Sequence, residues 1–332
     1  MKHTISGYTT THNCIERNYP LELCVESLLG FCDQVSIVDA GSTDGTLEVL
    51  SKLQKKDSRV SFYVSPVDFT HPRWAIYMDG YLKAKARARC TGDYCWQTDT
   101  DEIVAPHDFA RIKQLPELLA PLFEEYPIIY LPMVEFWGSF NRIRADFFTW
   151  KQRISKNDPN IIHGIPAELE MRDSEGHEYP RPFDSDSCNY IYKSDRSSVK
   201  SIVPVEVAKL NMTPEEFEPF FSGALDLLPS VLHVSWLNLK RKIEHYRDFW
   251  PKFHQSMYNL PKLDAPENNV MFNKPWSQVT DSDIQQKAVE LDQLGPRSFH
   301  HKLNPNQKGA TVAFNRPIPP SLLHWAKESG MN

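Results

Sequence analysis

The sequence predicts an α/β fold: a mostly parallel sheet with helices on both faces. Three observations predict it. Through the first third of the chain, apolar strand-like runs alternate with segments of helical spacing. Only three of the 25 prolines (Pro20, Pro66 and Pro72) fall in residues 1–100, so this third largely lacks the residue that interrupts helices and central strands. Polar loops follow three of the expected strands, where the ligands of parallel α/β sheets gather.

Each element has its own justification. Thr4–Thr9 is short and β-prone and reads as the first strand. Pro20 opens a helix, and Leu21, Cys24, Leu28 and Phe31 follow at helical spacing. Gln34–Asp39, with Val35, Ile37 and Val38 inside it, is the second strand. After the turn Ala40–Gly45, Leu47, Leu50 and Leu53 mark a helix with Ser42 or Thr43 as its N-cap. Val60–Val64 is the third strand, and Trp74, Tyr77, Met78, Tyr81 and Ala88 form the stripe of one long helix. Thr91-Gly92-Asp93 breaks it before a fourth strand, Tyr94–Thr98. Leu115–Tyr126 reads as helix and Ile128–Leu131 as a buried strand. Further on, Ser230–Val234 is strand-like. Ser235 would cap a helix carrying Trp236, Leu239, Ile243, Tyr246, Trp250 and Phe253. Asp281–Leu294 is a helix capped by Asp281 or Ser282, and a short helix, Leu322–Lys327, follows Pro317-Ile318-Pro319-Pro320.

Composition narrows the function. The chain has 332 residues, 41% hydrophobic and 24% charged, enough to bury a sizeable core. A net charge of −6 argues against a chain whose main task is to coat nucleic acid or an anionic membrane. No stretch approaches the ~18 apolar residues of a membrane span, and Met1–Gly7 lacks the apolar core of a signal peptide. Cys14, Cys24, Cys32, Cys90, Cys95 and Cys188 are scattered without a Cys-x-x-Cys pair. The expectation is a reduced, cytoplasmic chain with no integral membrane segment and no nucleic-acid partner.

The strand-end loops carry the chemistry. Tyr94–Thr98 runs into Asp99-Thr100-Asp101-Glu102. Carboxylates crowded on a tight turn repel one another, and a divalent cation is one reason to assemble them. A solvated acidic turn is the other reading. Val38-Asp39 leads into Ala40-Gly41-Ser42-Thr43-Asp44-Gly45-Thr46, where Asp39 could accept from a base or ribose and a new helix offers free N–H groups. The competing reading gives Ser42, Thr43 and Asp44 turn and capping roles alone. Thr9-Thr10-Thr11-His12-Asn13 follows the first strand with hydroxyls and an amide.

Together the three loops resemble glycosyltransferase family 2 and its GT-A fold, over roughly residues 4–135. The turn Asp39–Thr46 has one residue more between Asp and Ser than the family's commonest form. The resemblance implies a nucleotide-sugar-binding core at 1–135 and an acceptor-side region at 136–332 that completes the sheet and ends in helices. It implies transfer of a sugar from a UDP-, GDP- or dTDP-sugar donor to a glycan, lipid or protein hydroxyl. It puts Thr9, Asn13, Asp39, Ser42, Asp44 and Asp99 at the nucleotide sugar. It puts Mn²⁺ or Mg²⁺ on Asp99 and Asp101, with Asp101 the more direct ligand, and makes His233, at a strand–helix junction, an extra metal ligand. The competing reading of His233 is a packed, hydrogen-bonded side chain.

Inversion is the expected stereochemistry, and an inverting transferase needs a general base; a retaining one, the open alternative, would not. Glu135, Glu168, Asp184 and Asp186 are the acids available, and the family's downstream placement favours Glu168, Asp184 or Asp186 without separating them. Trp137 is either a sugar platform or core, Lys240-Arg241-Lys242 either a phosphate contact or a solvated helix face, and Arg142, Arg144 and Arg153 are placed to meet an acidic ligand. Two other classes stay open. A haloacid-dehalogenase-like phosphatase would use Asp99 and Asp101, though that family sets its motif on the first strand. A non-catalytic carbohydrate-binding protein on the same fold would bind donor without turnover.

Overall fold

The computed structural model describes residues 3–72, 74–145, 150–164, 190–195, 197–204, 214–258, 269, 271–296 and 311–331. In chain order the elements begin β1 (Ile5–Thr11), α1 (Leu21–Leu29), β2 (Gln34–Asp39), α2 (Thr46–Lys56), β3 (Val60–Val64), α3 (Trp74–Ile76), α4 (Leu82–Arg87), β4 (Tyr94–Gln97) and β5 (Glu102–Val104). Next come α5 (Phe109–Leu118), α6 (Ala120–Glu125), β6 (Ile128–Glu135), β7 (Arg142–Arg144), β8 (Trp150–Lys156), β9 (Ile161–His163), β10 (Tyr190–Tyr192) and β11 (Ser201–Ile202). The rest are α7 (Pro214–Leu227), β12 (Val231–His233), α8 (Leu239–Asp248), α9 (Trp250–Tyr258), α10 (Asp281–Leu294), β13 (Thr311–Ala313) and α11 (Pro320–Glu328). The chain divides into two compact units, Met1–Leu131 with Gln152–Pro204, and Pro132–Lys151 with Val205–Asn332.

The first unit is built on a sheet ordered β3-β2-β1-β4-β8-β6, with β11 beside β6. The first three pairings are parallel, from Ser6↔Gln34 to Thr11↔Asp39 between β1 and β2. β8 runs antiparallel to β4, with Trp96 opposite Ile154. Six of the seven β1 residues are buried, as expected of a strand covered on both faces. Leu21, Cys24, Val25 and Leu28 of α1 are buried, and Tyr8, Val38, Leu82, Ala86 and Cys95 belong to one buried cluster. The expected α/β class with a mostly parallel sheet is therefore the observed one.

Local chemistry departs from expectation in three places. The stripe from Trp74 to Ala88 is not one α-helix: a π-helical turn, Tyr77–Tyr81, separates α3 from α4. Gly80 in this turn meets Gly164 backbone to backbone; a Cβ on Gly164 (φ +83°) would lie 2.2 Å from the Gly80 carbonyl oxygen. The cap of α2 is Gly45 at φ +97°, not Ser42 or Thr43, and Asp44 Oδ1 accepts from the Thr46 N–H at 3.1 Å and its hydroxyl at 2.6 Å. Helix also starts earlier than Leu115, at Phe109, and breaks at Leu119 ahead of Pro121.

In the second unit, Met133–Glu135 of β6 pairs in parallel with β12, matching Glu135 to His233, and β7 pairs antiparallel with β13. Trp137, Trp236, Ile243, Tyr246, Ile284 and Leu291 share its core. Trp137 is fully buried, stacks on Trp236 at 4.8 Å and donates from Nε1 to the Leu291 carbonyl at 3.1 Å. It is core, not an exposed sugar platform. The cap of α8 is Asn238 rather than Ser235, its side chain accepting the Arg241 N–H at 3.0 Å. Thr280, one residue before Asp281, caps α10 in a reciprocal box with Asp283.

Candidate active site

The loops after β1 and β2 form one hydrogen-bonded unit. Asp39, the last residue of β2, is fully buried. Its Oδ1 accepts the N–H groups of Gly41 at 2.8 Å and Ser42 at 2.7 Å; its Oδ2 accepts the hydroxyls of Thr11 and Ser42, both at 2.6 Å. A carboxylate that buries itself on four donors fixes the turn that contains it. Ser42 Oγ in turn accepts the Asn13 N–H at 2.8 Å, and Asn13 Oδ1 accepts the Thr43 N–H at 3.0 Å. Asp44 Oδ2 accepts the Glu16 N–H at 2.7 Å, and this set of bonds holds its carboxyl below the usual range, against the pull of burial. Asn13, Asp39, Ser42 and Asp44 are thus brought together, and Thr9 lies buried two residues before Thr11.

Beside this unit is a cleft of about 160 Å³, lined by Ser65–Asp68, His71, Tyr77 and Tyr81. Its floor is tied to the Asp39 turn, because Ser65 N–H donates to the Asp39 carbonyl at 2.8 Å and Val67 N–H to the Ala40 carbonyl at 3.0 Å. Gly41 takes φ +93° against Pro66. Lys85 Nζ donates to Ser65 Oγ at 2.8 Å and stands 4.2 Å from the Tyr81 ring centroid. His12 packs on Phe69 at 4.6 Å, and burial, helped by Arg17, lowers its pKa.

The acidic turn stands at the end of β4. Asp99 has a side chain about a third exposed, and Asp101 is at the edge of burial. The turn is braced from every side. Gln97 Nε2 donates to Asp99 Oδ1 at 2.9 Å, and Lys83 Nζ lies 3.7 Å from the same oxygen and 2.8 Å from Asp79. Glu102 Oε2 accepts the Asp99 N–H at 2.7 Å, and the Glu102 N–H closes on the Asp99 carbonyl at 3.1 Å. Cys24 Sγ reaches the Asp99 carbonyl at 3.5 Å and Cys14 Sγ the Thr100 hydroxyl at 3.8 Å. Burial pushes both thiols up, Cys14 to about 12, so they stay protonated donors. Lys83 carried no signal in the sequence. Glu102 was visible as a third acid, but not as the brace of its own turn.

The other expected groups distribute as follows. His233 lies in the second unit with Nδ1 3.2 Å from Glu135 Oε1. Arg144 stands 3.4 Å from the other Glu135 oxygen. Burial alone would raise the Glu135 carboxyl, but Arg144, His233 and Lys151 outweigh it and bring it down to about 2. So acidic a group is a poor general base at neutral pH. Arg142 spends its fork on Trp137 and Asp292, Arg144 on Glu135, and Arg153 is buried completely against Gln97 and Glu102. Lys240 pairs with Glu244 at 3.8 Å on a helix surface, and Lys242 bonds Ser235. Glu168, Asp184 and Asp186 lie outside the described residues.

Asp99 and Asp101 offer hard carboxylate oxygens on a fixed turn, the donor type that Mg²⁺ and Mn²⁺ prefer. Among the described residues no group of three His, Cys, Asp or Glu side chains forms a ready protein cage, and no helix is long and apolar enough to cross a membrane.

Strands ending in a polar loop, a carboxylate turn and an acidic turn define the class. Residues 8–168 match the family model for glycosyl transferase family 2. The match begins on β1 and contains all three loops, and the acidic turn follows the fourth strand, not the first, where the phosphatase family usually sets its motif. Over 110 residues the chain is 34% identical to the lipopolysaccharide core biosynthesis glycosyltransferase LpsC of Rhizobium meliloti (strain 1021). That match spans 32% of this chain and 35% of the relative's length. Among solved structures, residues 1–349 of S. aureus TarS align with 14% identity and a TM-score of 0.33, over 88% of this chain and 89% of that one. The mannosyltransferase PcManGT from Pyrobaculum calidifontis, in complex with GDP-Man and Mn²⁺, aligns with 12% identity and a TM-score of 0.38, over 90% and 78%. At that distance the fold is read from this chain's own strand order.

Proposed function

We propose that the chain is a metal-dependent glycosyltransferase that moves a sugar from a nucleoside-diphosphate sugar to an acceptor hydroxyl, with inversion. The observation that carries this reading is the braced Asp99-Thr100-Asp101 turn at the end of β4, inside the segment that matches the family. Asp99 and Asp101 would hold Mn²⁺ or Mg²⁺. The bound ion would supply Lewis-acid stabilisation of the charge that grows on the departing diphosphate.

The chain's own groups do the rest. The network of Asn13, Asp39, Ser42 and Asp44 fixes the two loops that would border the nucleoside, with Thr9 behind them. The cleft with Pro66, Tyr77 and Tyr81 offers apolar and aromatic surface for it. For His233, which stays a proposed metal ligand, the Glu135 carboxylate at Nδ1 is the kind of partner that orients an imidazole. Glu168, Asp184 and Asp186 remain the acids from which the base would come. Cys14, Cys24, Cys32, Cys90 and Cys95 are free thiols, which suits a reducing compartment such as the cytoplasm.

The test is binding and hydrolysis of a panel of UDP-, GDP- and dTDP-sugars, with Mn²⁺ and with chelator, for the wild type and Asp101→Ala. One donor bound with Mn²⁺, released by chelator and lost in the variant is the expected result. Donor binding that ignores both chelator and Asp101→Ala would overturn the metal-dependent mechanism.

A further inference from the structure

We propose that Arg153 is the positioning residue of the acidic turn, a single buried guanidinium that clamps its entry and its exit. The proposal rests on the reading of Asp99 and Asp101 as metal ligands and adds what holds them in place. Arg153 sits on β8, one step past the Trp96–Ile154 pair, and so stands opposite Gln97, the last residue of β4. Its Nη1 donates to the Gln97 carbonyl at 3.2 Å and to Gln97 Oε1 at 2.7 Å. Its Nη2 donates to Glu102 Oε1 in a tight ion pair whose two side chains are completely buried.

Both partners pass the constraint on to Asp99. Gln97, with its carbonyl-side oxygen held by Arg153, turns its Nε2 to Asp99 Oδ1 at 2.9 Å. Glu102, with Oε1 held by Arg153, turns Oε2 to the Asp99 N–H at 2.7 Å. One of these contacts sets the carboxylate and the other sets the backbone that carries it. The planar fork of arginine can serve Gln97 and Glu102 together; lysine presents one point charge and cannot reproduce the geometry. Partners that orient metal ligands typically govern affinity by about 10–100-fold.

The experiment compares wild type, Arg153→Lys and Arg87→Lys. Arg87 is the control because it is a fully buried arginine of the same unit, bonded to Ile161, Ser155 and Lys156. Mn²⁺ affinity is measured without donor by the loss of the free-ion resonance, and hydrogen exchange is followed at the Asp99 amide. Expected are Mn²⁺ binding weaker by about tenfold or more in Arg153→Lys and faster exchange at Asp99. Arg87→Lys should change neither by more than about twofold, whatever it costs in melting temperature. Unchanged affinity and exchange in Arg153→Lys, or equal losses in both variants, would overturn the proposal. Should Arg153→Lys fail to fold, Glu102→Gln tests the same clamp by the same two readouts. If the wild type binds no Mn²⁺, the metal reading fails by itself, and the Asp99 exchange rate alone decides the role of Arg153.

Discussion

Glu135→Gln is a direct probe of the charges assembled in the second unit. The substitution keeps size and one acceptor oxygen, removes the charge and puts an amide donor in place of the other oxygen. In the wild type the carboxyl is brought from 4.5 to about 2. Burial, the largest single influence, pushes the other way, so the drop measures what Arg144, His233 and Lys151 contribute beyond that penalty. A depression of that size corresponds to about 3 kcal/mol, at roughly 1.4 kcal/mol per unit. The sign follows from the direction. A carboxyl that is more acidic folded than unfolded stabilises fully above about pH 5, and the contribution is lost as pH falls toward 2. Denaturant unfolding of wild type and variant should therefore differ by about 3 kcal/mol at pH 7 and by about 1 kcal/mol at pH 3. Removing the carboxylate that faces the buried Arg144 sets a similar scale. A gap under about 1 kcal/mol at pH 7, or one that keeps its full size to pH 3, would refute the argument.

Two further outcomes follow from geometry elsewhere. Gly164→Ala should destabilise by roughly 3 kcal/mol, from left-handed strain and overpacking against Gly80, whereas Gly223→Ala, with open space at its Cβ, should not destabilise; paired melting curves decide, and equal curves would show that Gly80 yields easily. Thr280→Ala should cost about 1 kcal/mol by opening the capping box of α10, and Thr280→Ser should recover most of it in the same assay.

What the sequence made legible was local. Gln34–Asp39 and Val60–Val64 are strands to the residue, because a short apolar run between turn residues has few other fates. The chemistry of Asp39, Asp44, Asp99 and Asp101 was visible because each lies within a few residues of a strand end or a helix start. Caps were misplaced for a physical reason. In Ser42-Thr43-Asp44 three side chains are equally able to cap, and only the tertiary demand of Asp39 and Asn13 on Ser42 leaves the task to Asp44 and Gly45. The π-turn was hidden because the helical spacing of Tyr77 and Tyr81 survives it nearly intact, and the glycine that Gly80 meets, Gly164, lies 84 positions away. Trp137 read equally as platform or core until Trp236 and Leu291 came into contact with it.

Arg153 shows why such groups escape pattern reading and why they inform once seen. Its partners lie 51 and 56 positions away, Glu102 on β5 and Gln97 at the end of β4, and no spacing rule links them. Stability alone does not explain the pair it forms with Glu102. Burying two opposite charges brings a desolvation penalty that often cancels their attraction, and apolar residues of like volume commonly do as well. What apolar residues cannot do is hand a hydrogen bond on to a third group. Glu102 uses its second oxygen on the Asp99 amide, and Gln97 uses its amide nitrogen on the Asp99 carboxylate. The buried charges therefore contribute geometry at the one turn where carboxylates would otherwise repel one another, and that is the turn on which the proposed chemistry depends.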